Sequence, residues 1–243
     1  MKVFYDLHIH SCLSPCGDDD MTPNNIVNMA KLKGLDIIAL TDHNSCKNCP
    51  ALVQVAQKAG LDVVPGMELC TSEECHVICL FPTLQAAMEF DAFIESTLPF
   101  IMNSTEAFGT QIIMDKDDNI TGHFPILLAT ASSVSIDEVA QRVRSFGGTC
   151  FPAHIDRPSF SVISSLGAVP DAGFTAFEIS PQGNADELAL KYPVIKDKSI
   201  IYNSDAHTLS DIREQGPWIE LNSPNPGILI KKLDNNKKLY NIF

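Results

Sequence analysis

The chain has 243 residues, 45% of them hydrophobic, and a formal net charge of −13 at pH 7. This length and apolar content suffice for one full core, so we expect residues 1–243 to form a single domain. The acidic balance argues against nucleic acid as a partner, because non-specific affinity for nucleic acid comes mostly from Lys and Arg on phosphates. The sequence shows neither a signal-peptide pattern nor a membrane-spanning apolar run, and we expect a cytoplasmic protein with no membrane partner.

Short apolar strands alternate with helices of about ten residues along most of the chain, a pattern typical of βα units and a mainly parallel sheet. The first predicted strand ends near His10. The other predicted strands cover residues 36–40, 61–65, 77–81, 149–153, 175–179, 199–203 and 218–221. The predicted helices are residues 22–33, 50–59, 83–97, 135–146 and 227–233. The sequence therefore predicts an α/β fold.

Residues 99–134 break this alternation. A polar turn at residues 115–119 lies between the apolar residues 111–114 and Ile120, which predicts a hairpin. Long excursions from a compact domain usually carry function. We therefore expect residues 99–134 to form an inserted lid or small subdomain.

Residue types that bind metal ions stand at the ends of the predicted strands. His8 and His10 share one face of the first strand, because successive side chains point to opposite faces. The further candidates are His43, Glu68, His76, His154, Asp205 and His207. Imidazole and carboxylate ligands suit Zn, Mn or Fe. Eight candidates exceed the needs of one ion, so we expect two or three divalent ions that share Glu68.

The eight cysteines occur without a secretory signal, which predicts reduced thiols. Cys46 and Cys49 form a CxxC pair, but no second pair completes a four-ligand site, so we favour a plain thiol pair over zinc or a cluster. Cys12 and Cys16 flank the first histidine stretch. They are expected to be small buried residues, with a role as minor ligands as the alternative.

The ordered motifs are His-x-His, Thr-Asp-His, Gly-Met-Glu, a histidine opening a strand, Pro-Ala-His-x-x-Arg and Ser-Asp-Ala-His. This series resembles the polymerase and histidinol phosphatase (PHP) family, from Tyr5 to about Thr208 except for residues 99–134. The resemblance implies a distorted (β/α)7 TIM-like barrel with up to three metal ions at the carboxyl ends of its strands.

The resemblance also implies how the ligands are shared among these ions. The first ion would take His8, His10, Glu68 and Asp205, and the second Glu68, His76 and His154. The third would take His43, His207 and a residue of the loop after His10. Histidinol-phosphatase-like members have Cys-Gly-His in that loop, whereas this chain has Cys16-Gly17-Asp18. Asp18 is the natural substitute, and the neighbouring Asp19 and Asp20 leave the assignment open.

The predicted reaction is hydrolysis of a phosphoester. Paired ions lower the pKa of bound water, so a bridging hydroxide is expected to attack phosphorus. Arg157 is expected to bind phosphate oxygens through its planar guanidinium, with a plain surface ion pair as the alternative. Asp205 or a nearby histidine, His207, is expected to assist proton transfer. Asp42 is expected to orient His43 or a backbone amide.

The expected substrate is small and phosphorylated: a nucleotide, a sugar phosphate or a cyclic phosphate. One alternative is an exonuclease or oligonucleotide phosphatase, which the acidic charge and the lack of a basic, aromatic-rich track weaken. Another is a non-catalytic metal-binding module, against which the nearly complete ligand set argues.

Overall fold

The computed structural model describes residues 1–235. Its strands are β1 (Lys2–Ile9), β2 (Ile37–Leu40), β3 (Asp62–Cys70), β4 (His76–Leu80), β5 (Ile112–Met114), β6 (Ile120–His123), β7 (Thr149–Pro152), β8 (Ala176–Glu178), β9 (Ser199–Ile201) and β10 (Trp218–Glu220). Its helices are α1 (Pro23–Leu32), α2 (Cys49–Ala59), α3 (Leu84–Glu95), α4 (Thr105–Phe108), α5 (Ile136–Ser145), α6 (Val162–Leu166), α7 (Ala185–Lys191) and α8 (Pro226–Asp234), and a 3₁₀ helix covers Pro193–Ile195. The predicted elements are all present with somewhat different ends. The short helices α4, α6 and α7 were not predicted from the sequence.

Six strands form one sheet in the order β10-β1-β2-β3-β4-β7, and β8 and β9 form a separate parallel pair. The neighbours β1, β2 and β3 are parallel, whereas β4 is antiparallel to both β3 and β7. The sheet is a curled half-barrel within a mixed α/β fold. The predicted distorted (β/α)7 barrel is therefore confirmed only in its α/β class and its curvature.

The reversed direction of β4 explains why this strand begins with its histidine. The connection between β3 and β4 covers only residues 71–75, and a parallel pair needs a crossover of a dozen or more residues. His76, the first residue of β4, pairs with Cys70, the last residue of β3. His76 therefore lies at the same edge of the sheet as the ends of the parallel strands.

The β8–β9 pair lies between β7 and β1 and is joined to them by isolated hydrogen bonds. Ile155 N donates to Glu178 O at 2.9 Å on one side, and His10 N donates to Ala206 O at 2.9 Å on the other. These contacts bring the ends of β8 and β9 to the edge where β1 ends.

Both faces of the sheet are buried, as expected for parallel strands covered by helices. In β2, Ile37 and Ala39 belong to one apolar cluster, and Ile38 and Leu40 belong to the other. The second cluster includes residues of α1, α2, α3 and α5. Among the described residues, no helix is long and apolar enough to cross a membrane.

The predicted hairpin within residues 99–134 is confirmed, because β5 and β6 pair in antiparallel fashion. This hairpin packs beside the loop that follows β1: Ile112 N donates to Cys12 O at 2.9 Å. Asn48, at the start of α2, accepts a hydrogen bond from Met114 N at 3.0 Å. Residues 99–134 also reach the mouth of the sheet, where Ala129 lines a cavity.

Candidate metal centre

Glu68, on β3, is 1% exposed and lies at the centre of the predicted ligands. Five imidazoles approach its carboxylate oxygens: His8 Nε2 at 3.2 Å, His10 Nε2 at 3.4 Å, His43 Nδ1 at 3.0 Å, His76 Nδ1 at 3.0 Å and His154 Nε2 at 3.2 Å. The histidines come from β1, β4 and the loops after β1, β2 and β7. The fold therefore gathers five histidines from four separate motifs around one carboxylate.

The possible ligand atoms fall into three groups, in each of which all atoms lie within 4.8 Å of one another. The groups are His8, His10, Glu68 and Asp205; His43, Glu68 and His76; and His10, Cys16, His43 and His207. The first group is the set predicted for the first ion. The second contains His43 where the prediction had His154. The third contains Cys16 where the prediction had Asp18.

The donor set fits divalent metal ions. Imidazoles and carboxylates are the ligands that Zn, Mn and Fe share. His154 provides a further observation, because its Nδ1 is buried without a hydrogen-bond partner. Leaving a buried polar atom unpaired costs about 1–3 kcal/mol. His154 therefore has a buried ring nitrogen that no protein group occupies and that an ion could bind, although His154 belongs to none of the three ligand groups of the described residues.

Charge coupling within the cluster shifts several pKa values. Burial would raise the pKa of Glu68, but His76, His8 and His43 hold it well below its ordinary value. Burial would likewise lower the pKa of His10, but its hydrogen bonds and charge interactions with Asp205 and Glu68 raise it to about 9. In the same cluster, burial lowers the pKa of His76 to about 4. Cations bound here would take the place of the imidazolium protons.

Glu178, the last residue of β8, orients His8 from behind. Its carboxylate oxygens lie 3.0 and 3.1 Å from His8 Nδ1, which leaves His8 Nε2 directed at Glu68 and Asp205. Glu178 also accepts hydrogen bonds from His154 N at 3.1 Å and Asn203 Nδ2 at 2.6 Å. Carboxylates of this kind fix the ring orientation of metal-binding histidines. Glu178 was not predicted as a site residue. A carboxylate within the otherwise apolar predicted strand 175–179 is the sequence feature that could have indicated it.

Asp42 supports His10 through a hydroxyl group. It accepts hydrogen bonds from Ser11 N at 2.6 Å and from Ser14 Oγ at 2.7 Å. Ser14 Oγ in turn lies 2.9 Å from His10 Nδ1. The expectation that Asp42 orients a backbone amide is confirmed, and the histidine that it supports is His10 through Ser14.

The loop after His10 presents a cysteine to the cluster. Cys16 is exposed and belongs to the third ligand group, contrary to the expectation that it is buried. Asp18 points elsewhere: its Oδ1 accepts a hydrogen bond from Asp20 N at 2.8 Å. Within the described part of the chain, neither Asp18 nor Asp19 nor Asp20 belongs to a ligand group.

The tight turn at Gly17 fixes this arrangement of the loop. A Cβ atom at Gly17 would lie 2.2 Å from Ser11 O, so no larger residue fits the turn. Sequence order alone did not show on which side of the turn the ligand stands.

A cavity of about 260 Å³ opens above the cluster. Arg157 lines it together with Phe160, Ser159 and the candidate ligands Asp205 and His207. Arg157 is half exposed, and its Nη1 lies 2.5 Å from Asp205 Oδ2. Arg157 thus lines the cavity and forms an ion pair there with a candidate ligand, and its binding of phosphate stays a prediction.

His207 is held in a defined orientation at the cavity. Its Nδ1 donates a hydrogen bond to the backbone carbonyl of Asp205 at 2.8 Å, so Nε2 carries the lone pair. Burial, together with the nearby His10, lowers the pKa of His207 to about 4. His207 is therefore neutral at pH 7 and can bind an ion or accept a proton.

Comparison with known proteins identifies relatives. The model of a family described as "PHP domain" matches residues 6–146, which is more than half of the chain. An uncharacterized protein of Methanocaldococcus jannaschii is 36% identical over 84 residues, covering 31% of this chain and 48% of that protein. A 5′-3′ exoribonuclease of Haemophilus influenzae is 31% identical over 83 residues, covering 33% of this chain and 29% of that protein. The chain spans less than half the length of these curated relatives.

Solved structures share the fold. The lesion-specific endonuclease Q of Pyrococcus furiosus superposes with a TM-score of 0.69 and 20% identity, over 98% of this chain and 58% of the endonuclease. A second endonuclease Q structure holds a 27-mer duplex with an abasic lesion at the active site. A Bifidobacterium adolescentis protein assigned as a metal-dependent phosphoesterase superposes with a TM-score of 0.62 and 17% identity, over 96% of each chain.

These relatives contradict the expectation that excluded nucleic acid as a partner, because an exoribonuclease and a DNA-bound endonuclease are among them. The expectation failed because net charge describes the whole surface. Many acidic side chains lie away from the cavity, and bound cations would change the local charge at the site. A net charge of −13 therefore does not describe the field that a phosphate would meet in the cavity.

Proposed function

Because this chain belongs to the PHP domain family of metal-dependent phosphoesterases, we propose that it hydrolyses a phosphoester of a nucleotide unit, either free or at the end of a strand. The observation that carries this proposal is the convergence of five histidines on Glu68 beneath a cavity that also contains Arg157. A purely structural cluster would have no need of a guanidinium beside an open cavity.

The proposed metal ligands form three sets, of which the first two share Glu68. The first set is His8, His10, Glu68 and Asp205, and the second is Glu68, His76 and His154. The third is His43, His207 and Cys16, with Cys16 in the place first given to Asp18. A thiolate is a softer ligand than a carboxylate, which favours Zn or Fe over Mn at the third position.

Bound divalent ions supply Lewis acidity and a water molecule of lowered pKa. The protein supplies the remaining parts. Arg157 is placed to bind two non-bridging phosphate oxygens, and its ion pair with Asp205 holds the guanidinium at the cavity until a phosphate arrives. Asp205 is our candidate for accepting a proton, because its carboxylate has two oxygens. His207, the other candidate, has a single free lone pair on Nε2 and could accept a proton only while that nitrogen is not bound to the third ion.

The size of the cavity limits what it encloses. A volume of about 260 Å³ lies below the range of roughly 300–1,000 Å³ that is common for ligand clefts. It suits a phosphoester with one attached unit. A longer strand would have to run outside the cavity, along the surface that includes residues 99–134, which we propose to be a lid over the mouth.

A nuclease is the second candidate function, favoured by the exoribonuclease and endonuclease relatives. It uses the same ligands and the same arginine. The two candidates differ in the length of substrate that is turned over fastest.

The test is a substrate screen of the protein after reconstitution with Zn, Mn or Fe. The panel contains nucleotides, cyclic nucleotides, sugar phosphates, 5′-phosphorylated oligonucleotides and a duplex with an abasic site. We expect metal-dependent turnover of a nucleotide-containing substrate, and its loss in Glu68→Gln. The proposal is overturned by a metal-loaded protein that hydrolyses nothing, or by equal turnover in Glu68→Gln.

A further inference from the structure

One aromatic ring at the cavity has no part in the proposed chemistry. Phe160 is 46% exposed, although large apolar side chains at this edge of the sheet are otherwise mostly buried. Its ring stacks on the imidazole of His76, with centroids 4.8 Å apart and an interplanar angle of 19°. Phe160 also lines the cavity. The ring is thus anchored on a ligand and still accessible from the cavity.

The backbone around Phe160 is held in a strained shape. Its φ angle is 53°, in the left-handed region that residues other than glycine rarely adopt. Three hydrogen bonds hold the backbone in this conformation. His76 N donates to Phe160 O at 2.9 Å. The neighbouring Ser161 Oγ donates to Arg157 O at 2.7 Å and caps α6 by accepting a hydrogen bond from Ser164 N at 3.1 Å. The same loop therefore fixes Phe160 and Arg157 relative to each other.

The ring of Phe160 and the guanidinium of Arg157 lie on one loop and suit the base and the phosphate of a nucleotide, respectively. The guanidinium recognises phosphate oxygens, and an exposed flat ring recognises the π-face of a base. A sugar phosphate without a base would leave the ring in contact with water. Because residues with a strained backbone cluster at active sites and ligand-binding sites, the φ angle of Phe160 favours a ligand contact over simple packing.

We infer that Phe160 is a stacking platform for the nucleobase of the substrate and sets a preference for nucleotides over other phosphoesters. This inference rests on the proposed function and adds a recognition element to it. Stacking on Phe160 would place the base at the rim of the cavity, with the phosphate above Glu68. Stacking tolerates all four bases, so the preference would be for a base as such and not for one sequence.

Phe160 could instead serve only to shield His76 from water. The two roles predict different results. Shielding affects metal binding and weakens all phosphoesters alike, whereas a platform affects only ligands with a base.

The experiment measures calorimetric binding to the metal-loaded protein of two phosphonates that cannot be hydrolysed, one of adenosine and one of ribose. The variants are Phe160→Leu and Phe160→Trp. Leu190→Ala is the control for an exposed apolar side chain, since Leu190 is 85% exposed and lies outside both the cavity lining and residues 99–134. Metal content is measured for every variant.

We expect the wild type to bind the adenosine phosphonate about tenfold more tightly than the ribose phosphonate. Phe160→Leu should lose this difference without weakening the ribose phosphonate or the metal content, and Phe160→Trp should retain it. Equal binding of the two phosphonates by the wild type, or equal weakening of both in Phe160→Leu, overturns the inference. Hydrolysis without any preference for a base would overturn the platform alone, whereas no hydrolysis of any phosphoester would overturn the proposed function.

Discussion

Two regions of this molecule are rich in residue types that bind metals. They differ in whether the donor atoms, imidazole nitrogens in one region and thiol sulfurs in the other, face accessible space. At the mouth of the sheet, five imidazoles face Glu68 below an open cavity. In the core, Cys46, Cys49, Cys79 and Cys150 are all buried among apolar side chains. No ligand group in the described part of the chain includes any of these four cysteines.

The thiols of Cys46 and Cys49 have hydrogen-bond partners in the protein itself. Cys46 Sγ donates to Gly66 O at 3.1 Å, and Cys49 Sγ lies 3.5 Å from the same carbonyl. Burial raises the pKa of Cys150 to about 12, so its thiolate is strongly disfavoured. The comparison teaches that residue type is insufficient for a metal site, because the donor atoms must converge on accessible space.

The largest expected effect comes from removing the charge at the centre of the mouth. Glu68→Gln should lose metal binding and lower kcat/KM by about 10³-fold or more, because a bridging carboxylate contributes to several ions at once. Metal content by mass spectrometry and turnover of the best substrate from the screen measure this. Cys49→Ala, the matched change in the core, should keep its metal and activity while losing about 1 kcal/mol of stability. Loss of metal in Cys49→Ala would show that the core cysteines, and not only the residues around Glu68, bind metal.

A second, smaller effect is expected from the carboxylate behind His8. Glu178→Gln should weaken metal affinity about 10- to 100-fold, because the amide can no longer stabilise the required tautomer of His8. Competition with a chromogenic chelator gives this affinity. Glu138→Gln on the exposed side of α5 is the control and should leave it unchanged. An affinity in Glu178→Gln equal to that of the wild type would show that His8 is oriented by other contacts.

Arg157 tests the cavity above the cluster. Arg157→Ala should raise KM about tenfold through the loss of a charge-assisted contact to phosphate, while metal content stays the same. Arg144, which forms a surface ion pair with Asp234, provides the control Arg144→Ala. Steady-state kinetics separates KM from kcat. Identical KM values in Arg157→Ala and Arg144→Ala would show that Arg157 forms only an ion pair and does not bind the phosphate of the substrate.

The mildest test uses thiol reactivity without any substrate. Cys16 is the one exposed cysteine of the eight, so iodoacetamide should modify one thiol rapidly in the folded protein. Bound Zn should slow this reaction, since a coordinated thiolate is less accessible and less nucleophilic. Thiol counting by mass spectrometry follows the reaction, with Cys16→Ser as the variant that lacks the fast phase. A rate unchanged by Zn would remove Cys16 from the third ligand set.

The sequence predicted most of the mouth because its ligands stand in short motifs at strand ends. His8, His10, Glu68 and Asp205 were all assigned to one ion, and their atoms lie together. The direction of β4 was not predicted, because the preceding strand was predicted to end at residue 65, which made the connection to β4 look about twice as long as the observed residues 71–75. Cys16 was named only as an alternative, minor ligand, because the turn at Gly17 decides which neighbour faces the cluster. Glu178 was missed because it belongs to no motif.

Anomalous diffraction from crystals grown with Mn or Zn would test the central claim most directly. The account predicts at least two anomalous peaks beside Glu68, within bonding distance of residues such as His8, His76 and Asp205. The absence of peaks from the cavity, or peaks confined to Cys46 and Cys49, would contradict it.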